Sequence, residues 1–122
     1  MFIVDACAII SYLAGIGMTA AGRAAVPGAA VLPVTVWEIT RKSALGKLPQ
    51  LPLLHGSFAQ QLTALGFRYE PLLLSDAEDA NRLPPHHKDP MDRMLIATAL
   101  RAGLTIITSD AIFAAYGAPT VW

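Results

Sequence analysis

The chain has 122 residues, 54% of them hydrophobic and 15% charged, with a mean hydropathy of +0.48 and nine basic residues balancing nine acidic ones. That length supports one domain with one core over residues 1–122, and the hydrophobic share excludes a disordered chain. A formal net charge of zero excludes a protein that coats nucleic acid through bulk positive charge.

Residues 2–4 form a short apolar run that reads as a buried parallel strand. A helix is predicted over 8–14, broken near Gly15 and Gly17, and a second over 19–26, stopped by Pro27-Gly28. Val31 and Leu32 read as a strand ahead of Pro33, and 35–45 as a helix with Gly46 at its C-cap. Residues 48–53, with two prolines, read as a connector. A helix over 58–65 ends at Gly66, and 67–73 alternates as a strand does. Ser75 and Glu78 read as a capping box that opens a helix through Leu83, ended by Pro84-Pro85. The clearest helix runs over 90–102 and ends at Gly103. The β-branched run 104–108 reads as a strand, 110–116 as a short helix and 119–122 as an edge strand. Strands alternating with helices imply right-handed crossovers, hence an α/β fold with a parallel sheet covered on both faces. Ligands of such sheets bind beyond the C-terminal ends of the strands.

The longest uncharged stretch, residues 6–22, sits at the lower edge of a membrane-spanning length and is weakened by three glycines. No positive leader precedes it, since the charge ahead of it is Asp5. One cysteine allows no internal disulfide and no Cys-rich zinc site. These features read as a cytoplasmic protein with no membrane association.

Asp5 and Asp110 each follow a buried strand and open a helix, so each reads either as an N-cap or as one of a pair of site acids. Glu38 is followed by Lys42 at i+4, and a surface ion pair would account for it. Asp89 before Pro90 reads mainly as a helix cap. Asp92 flanks the apolar face made by Leu95, Ile96 and Ala99, where a carboxylate needs a partner. Arg93 or a shared metal ion would serve. Capping accounts for Asp76, Glu78 and Asp79, His86 and His87 read as solvated loop residues, and Cys7 as a buried apolar cysteine. Were Asp5, Glu38, Asp92 and Asp110 to converge, they would repel one another unless cations were present. Hard oxygen ligands select Mg²⁺ or Mn²⁺, ions suited to phosphodiester hydrolysis.

Specific strings narrow this reading. Asp5-Ala6-Cys7-Ala8, Val36-Trp37-Glu38-Ile39 with Leu45-Gly46-Lys47-Leu48, the run from His87 to Ala97, and the run from Leu104 to Asp110 with Phe113 and Tyr116-Gly117 follow one another along nearly the whole chain. Through them the chain resembles the PIN-domain ribonucleases and, within them, the VapC-type toxins of toxin–antitoxin pairs. The resemblance implies a three-layer α/β/α sandwich with a mainly parallel central sheet. It implies a Mg²⁺- or Mn²⁺-dependent endoribonuclease with Asp5, Glu38, Asp92 and Asp110 as its catalytic and metal-holding acids, supported by Asp89, Arg93 and Thr108. It also implies an RNA substrate, inhibition by a VapB-like antitoxin, and a homodimer. Ala6 and Cys7 stand where such proteins often carry Ser or Thr. A catalytically silent binding module and a PIN nuclease of RNA processing are the alternatives.

Overall fold

A computed structural model describes residues 1–48 and 56–122. The chain runs through β1 (Phe2–Val4), α1 (Ala6–Ala14), α2 (Ala20–Ala25), β2 (Ala30–Val31) and α3 (Pro33–Ala44). It continues with α4 (Phe58–Ala64), β3 (Arg68–Tyr69), α5 (Leu74–Arg82) and α6 (Pro90–Ala102). β4 (Thr105–Ile107), a 3₁₀ helix (Ala111–Tyr116) and β5 (Thr120–Val121) complete it. All five strands pair in parallel, in the order β3-β2-β1-β4-β5.

The pleat sorts the strand residues between two cores. Val4, Val31 and Ile107 face a cluster completed by Ile9 of α1, Ile39 of α3, and Phe58 and Leu62 of α4. Ile3, Ala30 and Ile106 face the opposite cluster, with Leu95, Ile96 and Ala99 of α6 and Phe113 of the 3₁₀ helix. The register agrees, since Ile3 lies opposite both Ala30 and Ile106, and Val4 opposite Ile107. Alternate residues of one strand therefore serve different layers, which makes the α/β/α sandwich. Each fully buried Ile or Leu contributes about 1.5–3 kcal/mol over its exposed form.

Several boundaries differ from the sequence reading for local reasons. The third strand is Arg68–Tyr69, far shorter than 67–73. The Glu70 N–H still reaches Val31 O at 3.0 Å, but Pro71 has no N–H with which to continue the ladder. The second strand ends at Val31, because Leu32 is already the extended N-cap position of α3 and Pro33 begins that helix at its first turn. The expected box of Ser75 and Glu78 is not the one used. The helix begins at Leu74, and Asp76 accepts the Leu73 N–H at 2.9 Å. Asp76 is fully buried, and its two oxygens take Arg101 Nε at 2.7 Å and Nη2 at 3.0 Å, tying α5 to α6. The connector over 48–53 lies, Leu48 apart, outside the described residues.

The segment between α1 and β2 holds the six-residue α2, which packs so closely on the final residue that a Cβ on Gly22 would stand 2.1 Å from the Trp122 carbonyl carbon. Among the described residues no helix is long and apolar enough to cross a membrane.

Candidate active site

β1 and β4 are neighbours, yet the segments that follow them leave for opposite faces of the sheet: α1 joins one core and the 3₁₀ helix the other. The crevice between their C-terminal ends is the topological switch point of this sheet. Asp5 follows β1, and the Val4–Ile107 register sets it beside Thr108, with its N–H bonded to Ile107 O at 3.3 Å.

Asp5 is both a cap and a site acid. Its Oδ1 accepts the Ala8 N–H at 2.7 Å, which starts α1, while Oδ2 accepts the Thr108 hydroxyl at 2.5 Å. Thr108 Oγ1 in turn accepts the Asp110 N–H at 3.1 Å. One buried hydroxyl thereby joins the acids of the two strand ends. Asp110 caps the 3₁₀ helix by accepting the Ile112 N–H at 3.0 Å. Burial pushes the Asp5 carboxyl above the usual carboxylate range, against the Thr108 and Ala8 hydrogen bonds, and the charges of Glu38 and Asp110 add to the rise.

Asp92 enters from the first turn of α6. Asp89 accepts the Met91 and Asp92 N–H groups at 2.8 and 3.2 Å, so its role is that of a cap. The Asp92 carboxyl is pushed up to about 7, by burial first and by the Asp89 charge next; Glu38 and Asp5 add to the rise and His87 opposes it. Glu38, on α3, does form the i+4 pair with Lys42, at 3.2 Å. It is not a surface pair, because the Glu38 side chain is only 16% exposed and its charge is felt by both Asp5 and Asp92. The four acids thus share one electrostatic neighbourhood. Among the described residues, no three His, Cys, Asp or Glu side chains are posed as a ready-made metal cage. The Asp5 oxygens are turned instead to Ala8 and Thr108.

Three residues depart from the sequence reading. Cys7 is exposed at the rim of the crevice rather than buried in the core, because it lies on the side of α1 opposite the core residues Ala8 and Ile9. Partial burial and then Asp5 push its thiol up; Lys42 opposes them, and Glu38 and Asp92 add to the rise. His87 is not a solvated loop residue. Its side chain is 15% exposed, with Nε2 standing 3.0 Å from Asp92 Oδ2 and 3.3 Å from Asp110 Oδ2. Neither approach is aligned as a hydrogen bond, so this ring nitrogen is buried without a partner. Nδ1 accepts the Asp89 N–H at 3.2 Å, which leaves Nε2 as the ring nitrogen on the side of the acids.

Arg93 partners no acid. Its guanidinium donates to Leu83 O at 2.7 Å, Pro84 O at 3.0 Å and His87 O at 2.9 Å. The Tyr116 hydroxyl accepts the His87 N–H and donates to Pro84 O, both at 2.7 Å. Arg93 and Tyr116 therefore clamp the proline loop that delivers His87, whose ring packs edge-on against Phe113. The sequence signal for His87 was its place two residues before the cap Asp89, but a His-His pair beside two prolines looks the same when solvated.

A family model described as PIN domain matches residues 2–119. No curated protein matches the sequence. Among solved structures, the chain is similar to one in "Structure of FitAB bound to IR36 DNA fragment", with a TM-score of 0.67 and 19% identity over 98% of this chain and 93% of that one. At that identity the likeness is one of fold.

Proposed function

We propose that this chain, which belongs to the PIN domain family, is a divalent-metal-dependent endoribonuclease with Asp5, Glu38, Asp92 and Asp110 as its acidic centre. The observation that carries the reading is the gathering of these acids at one crevice, where Asp92 is pushed up to about 7 by burial first and the Asp89 charge next, with Glu38 and Asp5 adding to the rise. Half-buried carboxylates gathered together are short of positive charge, and hard oxygen donors suit Mg²⁺ or Mn²⁺. The donor set fits such an ion. Asp5, Asp92 and Asp110 would hold it directly, and Glu38 would hold it or orient the attacking water. When bound, the ion supplies an activated water and offsets charge on a phosphodiester.

The chain's own residues do the positioning. Thr108 fixes Asp5 Oδ2 and the Asp110 amide, and Asp89 sets the turn that presents Asp92. Lys42 holds Glu38, and His87 stands with Nε2 3.0 Å from Asp92 Oδ2 and 3.3 Å from Asp110 Oδ2, where the ring can meet a phosphate oxygen or a carboxylate. The resemblance to VapC-type toxins supports RNA as the substrate, a VapB-like antitoxin as inhibitor, a homodimer and action in the cytoplasm.

The test is incubation of purified, antitoxin-free protein with RNA and Mn²⁺, followed by mapping of the cleaved ends. Wild type is expected to cut, and Asp5→Asn and Asp92→Asn to lose the cut. Metal-dependent cleavage by Asp5→Asn at the wild-type rate would falsify the acidic centre. One observation favours a second reading, a silent PIN-like binding module: the side chains are not posed as a metal cage. That reading expects no rise in melting temperature at saturating Mn²⁺, whereas a resident metal must stabilise the folded chain.

A further inference from the structure

The helix that turns Glu38 toward the acidic centre carries a second set of residues beside it. Trp37 is 54% exposed, although large aromatic rings are mostly covered in folded chains. Arg41, one turn on, places its guanidinium carbon 5.4 Å from the centroid of the indole ring and braces it. Trp37, Arg41, Lys42 and Lys47 line one groove of about 350 Å³ together with Glu38 and Asp89. Among the described residues neither Arg41 nor Lys47 is in an ion pair, and both are exposed. The groove therefore runs from two free cations and an open aromatic face to the edge of the acidic centre.

We infer that this groove is the path of an unpaired nucleotide strand, in which Trp37 stacks on a base and Arg41 and Lys47 hold the neighbouring phosphates. The inference rests on the nuclease reading and assigns its substrate contacts outside the acidic centre: Trp37 as the base platform, Arg41 and Lys47 as the phosphate contacts. Stacking on an indole needs an open base face, which unpaired nucleotides offer and paired ones inside a helix do not. A neutral chain has no bulk charge with which to gather a polyanion, so capture has to be local. Apart from the four acids of the centre, five acids face nine bases; three of those bases stand here, against Asp89 alone of the five. Leu45, 55% exposed, and Met91 add apolar lining beside Trp37, but three cations border it, and that charge suits a polyanion better than an apolar protein face.

The experiment is fluorescence anisotropy in EDTA with a labelled oligouridylate and a blunt duplex of equal length. Trp37→Ala is expected to weaken oligouridylate binding between about fivefold and about a hundredfold, from the usual loss of one base stack. Duplex binding should stay unchanged, and Trp37→Phe should recover most of the affinity. Lys47→Ala should lower the slope of log affinity against log salt by about 0.7. Equal affinity of Trp37→Ala and wild type for the oligouridylate overturns the inference. So does an equal loss on both probes, or a change in oligomeric state on size exclusion, which would assign Trp37 to a contact between copies. Mn²⁺-dependent cleavage is followed in parallel. Intact binding without wild-type cleavage would support the groove and sink the nuclease reading, whereas cleavage with unaltered KM in Trp37→Ala would do the reverse.

Discussion

Replacing Thr108 by valine keeps the shape of a side chain that is 4% exposed and removes one hydroxyl with two partners. A hydrogen bond to a charged acceptor contributes about 1.5–3 kcal/mol, and an orphaned amide costs about 1 kcal/mol more, so Thr108→Val should lose roughly 2–4 kcal/mol. With 122 residues and an unfolding entropy of about 2.1 cal/mol/K per residue, each kcal/mol corresponds to roughly 4 °C. Circular-dichroism melts in EDTA should then show a drop of about 8–16 °C. Thr108→Ser keeps the hydroxyl and gives up one methyl, about 0.8 kcal/mol, so it should stay within about 4 °C of wild type. The same pair separates stability from function. Loss of the group that orients Asp5 should weaken Mn²⁺ binding about 10–100-fold in valine, with recovery in serine. If Thr108→Val melted like wild type, or Thr108→Ser fell as far as Thr108→Val, the hydroxyl would not be what joins the two strand ends.

Two further outcomes follow from the geometry. Gly22→Ala, ordinarily favourable by up to about 1 kcal/mol inside a helix, should here destabilise by about 1–3 kcal/mol, because the new Cβ meets the Trp122 backbone at 2.1 Å; a thermal melt at or above that of wild type would show that α2 and the end of the chain are not packed this closely. In metal-free protein the folded Asp92 carboxyl, at about 7 against 3.8 for its ordinary value, keeps a proton that the unfolded chain has released. Stability should therefore fall as pH rises between these values, by at most about 1.4 kcal/mol per pH unit from this group. Asp92→Asn should flatten the slope, incompletely because Asp5 is raised in the same direction. A wild-type slope in the variant, measured by denaturant titration across that range, would remove Asp92 as its source.

The strands and helices were legible because their signals are local. Pro90 and Gly103 bracket α6 in the sequence as they do in the fold, and the β-branched run after Gly103 is a strand in both. The junction acids were legible for the same reason: Asp5, Asp89 and Asp110 each cap the element that follows them, and capping needs only neighbouring amides. What was not legible was the set of long-range partners that depends on which way a side chain turns. Asp76 does cap α5 as expected, but the packing of α5 on α6 also buries it and brings Arg101 from 25 residues away, which capping alone does not show. Arg93 reads as a partner for Asp92, but its guanidinium is taken up by three loop carbonyls.

The sequence by itself determined the class of fold and the candidate chemistry, since alternation of apolar runs and the presence of hard oxygen donors are properties of residues in order. Tertiary structure alone decided who meets whom at the crevice. The parallel register of β1 with β4 sets Thr108 against Asp5 across a separation of 103 residues, where its hydroxyl donates to the Asp5 carboxylate. The clamp of Arg93 and Tyr116 turns a loop histidine in toward two acids. No periodicity encodes such contacts, because they arise only when crossover connections bring the ends of non-consecutive strands together, where buried carboxylates require partners that water no longer provides.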